Sequence, residues 1–195
     1  MSLLGGTIAT ILIVGGIALV AIIVLLIIFV IGIYNNIVKA KMKVDNQFAQ
    51  IDVQLKKRFD LIPNIVETVK GYAKHESETL ENVIKARNTY LTATSPEEKL
   101  EANNQVTQAM NKLFALAESY PDLKANTNYL ELQDTLKETE DKIAYARQFY
   151  NDAVMKYNRL VMTIPSNIVA MIFGFKAINY LEATSEERQN VKVQF

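Results

Sequence analysis

The sequence predicts an all-α protein: an N-terminal transmembrane helix followed by an elongated antiparallel helical bundle. Three observations carry this. A stretch of 23 residues without a charge, positions 11–33, lies near the N-terminus. Beyond it, apolar residues recur at spacings of three, four and seven, the period of a helix stripe. Turn-forming residues are scarce there: only Gly71, Gly174, Pro63, Pro96, Pro121 and Pro165 follow Gly32. So few breakers favour long helices over a sheet.

The anchor comes first. Residues 11–33 read ILIVGGIALVAIIVLLIIFVIGI, and roughly 20 apolar residues at ~1.5 Å each span the hydrocarbon core. No Lys or Arg precedes the run, it is too long for a signal-peptide core, and no small-residue cleavage site follows, so it reads as an uncleaved anchor. Lys39, Lys41 and Lys43 follow directly. The positive-inside rule therefore puts the N-terminus outside and the remainder in the cytoplasm. The 21 basic and 21 acidic side chains all lie at or beyond Lys39. Their balance leaves no basic surplus for phosphates, so nucleic acid is not an expected partner. The absence of Cys excludes disulfides and thiolate sites.

The first bundle helix is predicted to continue out of the membrane to about Thr92. Two interleaved lines support it: Phe48, Leu55, Ile62, Val69, Glu76, Val83, Tyr90 and Val44, Ile51, Arg58, Ile65, Tyr72, Thr79, Ala86. Pro63 lacks a backbone donor, which predicts a kink near residues 60–63. Ser95-Pro96-Glu97-Glu98 has the form of a capping box and opens a second helix running to about Ser119, with Leu100, Val106, Met110, Leu113, Phe114 and Ala117 apolar. Tyr120-Pro121-Asp122 ends it. The third helix carries the clearest register: Tyr129, Leu136, Ile143, Tyr150, Tyr157 and Ile164 lie seven apart, beside Leu132, Thr139, Ala146, Ala153 and Leu160. Short links between such helices make neighbours antiparallel.

Residues 160–175, LVMTIPSNIVAMIFGF, are again free of charge but broken by Pro165. Ser166 is predicted to cap a short helix ending near Gly174. Two readings compete for this segment: docking on the bundle, or contact with the bilayer interface or another subunit. The resulting organisation is an anchor over 1–38, a bundle over 39–181 and a charged tail over 182–195, in which 191–195 has the look of a stray edge strand.

Little chemistry is offered. His75 is the lone histidine, and the position three before it is Tyr72, so the Glu-x-x-His pattern of di-iron bundles is missing. No nucleophile elbow or phosphate loop occurs. No catalytic, metal-binding or cofactor-binding residue is assigned, and His75 reads as a surface or cap residue. Charged residues on or beside the stripes stand out: Asp52, Arg58, Glu76, Arg87, Glu140 and Arg147. Buried charges must be paired, so these read first as interhelical ion pairs that set register. A ligand site in the bundle is the other reading. Ala86-Arg87-x-x-Tyr90 recurs as Ala146-Arg147-x-x-Tyr150, a match short enough to arise by chance.

Several segments together resemble the LemA family of bacterial membrane proteins: Ile51–Arg58 with Asp60–Asn64, Glu67–Ala73 with His75-Glu76, Ala117–Ala125, Arg147–Val154 and Pro165–Asn167. Ile164 stands where the family pattern has Phe. The resemblance spans essentially the whole chain. It implies a bacterial origin, an inner-membrane location, one N-terminal span and a cytoplasmic helical bundle, and it does not by itself imply an activity, since the family has no agreed enzymatic function. Relatives in that family include a protein involved in forming magnetosome membranes, which raises a membrane-organising role by analogy. The leading expectation is a non-enzymatic protein that self-associates into a homo-oligomer on the lipid bilayer and organises or shapes it. The alternative is an adaptor for a membrane protease or sensor system, with a membrane protein partner. A bundle that uses its seam charges as an enzyme or ligand site is third.

Overall fold

A computed structural model describes residues 2–181, and the side chains of 14–95 and 98–181. The predicted charged tail at 182–195 and its strand at 191–195 lie outside the described residues. Among those described there are six helices and no strand: α1 (Ser2–Tyr72), α2 (Ser77–Thr92), α3 (Pro96–Ala117), α4 (Pro121–Lys124), α5 (Thr127–Met162) and α6 (Ser166–Ile172). The all-α class is as the sequence predicts.

The chain divides into two compact units. The larger holds residues 47–150, and its helix directions follow from side-chain contacts. Along α1, Asp52 meets Tyr90 and Phe59 meets Arg87, so α2 runs against α1. Asp52 meets Lys99 and Arg58 meets Asn103 and Thr107, so α3 runs with it. Phe48 meets Tyr150, Arg58 meets Glu140 and Tyr72 meets Asn126, so α5 runs against it. This is an up-down-up-down four-helix arrangement. Its core is the apolar stripe of each helix: Ile51, Leu55, Ile62 and Val69 from α1, Val83 from α2, Val106, Met110 and Leu113 from α3, and Leu136 and Ile143 from α5. Burial of one such side chain stabilises the unit by ~1.5–3 kcal/mol.

Three details depart from or add to these expectations. Helix α1 ends at Tyr72, not near Thr92, and Ala73–Glu76 form a turn that reverses the chain into α2. A four-residue turn replaces about one helical turn of 3.6 residues, so the seven-residue count survives across it and mimics a single rod. Second, Pro63 lies within α1, which continues through it to Tyr72. Third, the link after α3 contains a single turn of helix, α4, with Leu123 wholly buried. The cap of α3 is as predicted. Ser95 Oγ accepts from the Glu98 amide at 3.1 Å, and the Glu98 carboxylate accepts from the Ser95 amide at 3.1 Å and the Thr94 amide at 2.9 Å. These amide bonds, the Thr94 one foremost, hold the Glu98 carboxyl below its ordinary pKa.

The smaller unit comprises residues 1–46 and 151–180. Here α1 carries the apolar run, and every described residue from 14 to 29 is exposed. After α5 ends at Met162, α6 follows directly, and the heptad line fails at Ile164, which is 80 % exposed. Ser166 does not cap α6: it is the first helical residue, and its Oγ donates back to the Thr163 carbonyl at 3.0 Å.

Candidate functional site

In the four-helix unit the charges on the stripes become a polar seam. Arg58 is the largest fully buried side chain in the described protein. Its guanidinium donates to Asn103 Oδ1 at 2.7 Å and to Thr107 Oγ1 at 3.0 Å, and pairs with Glu140 Oε1 at 2.7 Å. One α1 cation thereby ties α1 to both α3 and α5. A planar fork suits this, since several donors can be used at once. The sequence brings Arg58 and Glu140 forward; Asn103 and Thr107 are not among its candidates. A signal for Asn103 existed. It stands on the three-four line of Val106, Met110, Leu113 and Ala117, where a polar side chain needs a partner.

Six residues earlier on α1, Asp52 accepts from Lys99 Nζ at 2.7 Å and from the Tyr90 hydroxyl at 3.0 Å. Partial burial works to raise the Asp52 pKa, but the bonds from Lys99 and Tyr90 outweigh it and hold the carboxyl below its usual value. Burial, and then the bond to Asp52, push the Tyr90 phenol upward. Arg87 donates Nε–H to the Phe59 carbonyl at 2.9 Å. Half-buried Arg147 is also engaged. Glu76 sits at the N-cap of α2 without a side-chain cap bond. His75 is exposed in the turn between α1 and α2.

The two Ala-Arg-x-x-Tyr segments play matching roles. Each Tyr packs on a Phe of α1: Tyr90 stacks on Phe59 with ring centroids 3.7 Å apart, and Tyr150 meets Phe48 edge-on at 5.9 Å. Aromatic pairs of this kind add to area burial by about 1 kcal/mol.

Two surface features accompany the seam. An open groove of about 690 Å³ lies between α1 and α2, floored by Pro63, Val66, Leu80 and Ile84 and rimmed by Glu67 and Lys70. A smaller cleft of about 480 Å³ opens beside Arg58 and Glu140. Among the described residues no three acidic or histidine side chains converge as metal ligands.

In the smaller unit, three aromatic rings gather where the apolar run stops. Tyr34 lies 4.7 Å from Phe173 and 5.7 Å from Phe175, centroid to centroid. Tyr157 donates to the Lys176 carbonyl at 3.0 Å, and burial first, then the nearby Asp45 charge, raise its phenol pKa. The Asn158 side chain grips Ile178 twice, accepting from its amide at 2.9 Å and donating to its carbonyl at 2.8 Å.

An uncharged apolar stretch of α1 with every residue from 14 to 29 exposed, in a chain whose described residues are otherwise helical, defines a membrane-associated helical protein. The LemA family pattern matches residues 47–195, and the chain belongs to the LemA family. It is 27 % identical over 165 residues to Protein LemA of Metamycoplasma hominis, covering 83 % of this chain and 74 % of that one. It is 36 % identical over 74 residues to Magnetosome protein MamQ 2 of Paramagnetospirillum magneticum, covering 38 % of this chain and 27 % of that one. Magnetosome protein MamQ of Magnetospirillum gryphiswaldense is 33 % identical over 72 residues, which cover 37 % of this chain and 26 % of the relative. The chain thus spans about a quarter of the length of the magnetosome relatives it matches.

Proposed function

We propose that this protein is a non-enzymatic scaffold of the bacterial cell membrane. Its N-terminus lies outside, its four-helix unit lies in the cytoplasm, and copies associate to organise or shape the bilayer. One observation carries the reading: the exposed apolar run and the first helix of the four-helix unit are the same uninterrupted helix, α1. Lys39 and Lys43, exposed just beyond the run, support the cytoplasmic side by the positive-inside rule. Lys41 contributes less, being paired with Asp45 at 2.6 Å. The open apolar groove between α1 and α2 suits a helix from a second copy. The relatives described as magnetosome proteins favour a role at a membrane compartment.

Detergent-extracted full-length protein is expected to run as a large homo-oligomer by light scattering. A monodisperse monomer at micromolar concentration overturns the self-association. Protease added outside right-side-out cells is expected to spare the bundle; cleavage there reverses the orientation.

The same groove supports a second reading, an adaptor for a membrane protease or sensor. Crosslinking in native membranes separates the two. A stoichiometric foreign partner favours the adaptor, whereas self-crosslinks alone remove it.

A further inference from the structure

We propose that α6 and the turn after it, residues 164–175, form a second membrane contact that inserts into the interfacial layer of the leaflet where the span emerges. The segment has no charged residue, and α6 is apolar nearly all round. A helix of that kind belongs in a protein core or in lipid. Only one side is in the core: Val169 and Ala170 are buried. The other side is bare, with Ile164 80 %, Ile168 55 %, Met171 79 %, Ile172 70 % and Phe173 52 % exposed.

The position of this bare face names its occupant. Tyr34 is the first residue after the 23-residue apolar run and is followed by Asn35 and Asn36, so its ring marks the level at which α1 leaves the hydrocarbon. Phe173 and Phe175 pack on that ring. Tyr favours this layer, ring inward and hydroxyl outward, and the two Phe rings extend the apolar surface beside it. The chain then turns back. Phe175 N–H donates to the Ala170 carbonyl at 2.9 Å and Gly174 N–H to Met171 at 3.3 Å, closing the helix end, with Gly174 at φ +74°. Tyr157 and Asn158 then strap residues 176–178 along α5. The result is a hairpin whose closed tip is held beside the exit of the span. Exposed Lys39, Lys43, Arg159 and Lys176 flank it, as expected for a surface facing anionic headgroups. A tip seated ~5–10 Å deep in one leaflet adds area to that leaflet alone. That asymmetry is a means by which the chain could bend the bilayer, but the insertion itself does not depend on self-association.

The chain has no Trp, so a single introduced Trp is a clean reporter. Full-length Met171→Trp is reconstituted into phosphatidylcholine–phosphatidylglycerol vesicles with the bundle outward. Phe149→Trp, at an exposed site on α5 in the other unit, serves as reference, and Ile172→Trp repeats the measurement should Met171→Trp fail to fold. Lipid carrying a nitroxide high on the acyl chain is expected to quench the tip reporter by about twofold, and aqueous iodide to quench it about fivefold less than the reference. Equal iodide quenching at both sites, with no effect of the nitroxide, overturns the proposal. So does shielding from both quenchers, which assigns the face to a second copy. A tip quenched by lipid in a chain that stays monomeric would end the scaffold reading and leave this one intact.

Discussion

Leu25 and Leu113 are the same side chain in opposite situations. Leu25, in the apolar run of α1, is 65 % exposed, whereas Leu113, in α3, is fully buried among its own helices. The contrast holds for the regions around them. Residues 14–29 expose every side chain, while Ile51, Ile62, Val69 and Val106 expose none. The same apolar chemistry is left bare within the chain in one region, as suits a lipid surrounding, and is satisfied by packing in the other. Hence the first region needs no shape complementarity within the chain and carries no polar seam. The second must fit side chain to side chain, and it also accommodates a buried cation.

Four experiments break or sharpen that contrast, each read as a shift in thermal or denaturant unfolding of the detergent-solubilised protein. The largest effect is expected from Leu113→Ala, at about 3–4 kcal/mol of lost stability from lost burial and a cavity. Leu25→Ala should leave the unfolding of the four-helix unit unchanged; an equal loss at both sites would refute the division of solvents. Next is Arg58→Ala, which removes the tie between α1, α3 and α5 and leaves Asn103 and Glu140 without their cation. A loss of about 3 kcal/mol is expected, and Arg58→Met should recover part of it, because its longer apolar side chain refills the space that alanine leaves empty. No loss from Arg58→Ala would show that the seam is idle. Ser95→Ala should cost ~1 kcal/mol through loss of the α3 cap. The smallest effect concerns acid. Because the Asp52 carboxyl is held below its ordinary pKa of 3.8, its contribution is present above about pH 4 and is lost as pH falls through the folded-state value. The group is 41 % exposed, so the contribution is expected below ~1 kcal/mol. Asp52→Asn should therefore flatten the acid limb of the stability profile, and an unchanged limb would mean that Lys99 does not hold the carboxylate in solution.

The parts legible in the sequence were those with a local cause. The capping box at Ser95 and Glu98 is complete within four residues, and its amide bonds form as read. The register of α5 shows in Tyr129, Leu136, Ile143, Tyr150 and Tyr157, all buried, because a helix that packs along its length repeats its contact every two turns. The turn at Ala73–Glu76 was missed, since its length keeps the heptad count unbroken. Lys99 and Tyr90 were missed as partners of Asp52 because they lie 47 and 38 positions away and no local pattern links them.

By itself the sequence determined where the one long apolar run of the chain lies, for the transfer preference of an uncharged run is a sum over its residues and needs no folded context. It likewise determined the helical class, through periodicities confined to each segment. Only the tertiary structure decided that α2 turns back on α1, that Arg58 joins three helices, and that residues 164–175 end beside Tyr34 with a bare apolar face. Those outcomes depend on which distant surfaces meet, and the free energy of such a meeting belongs to the pair and not to either segment alone.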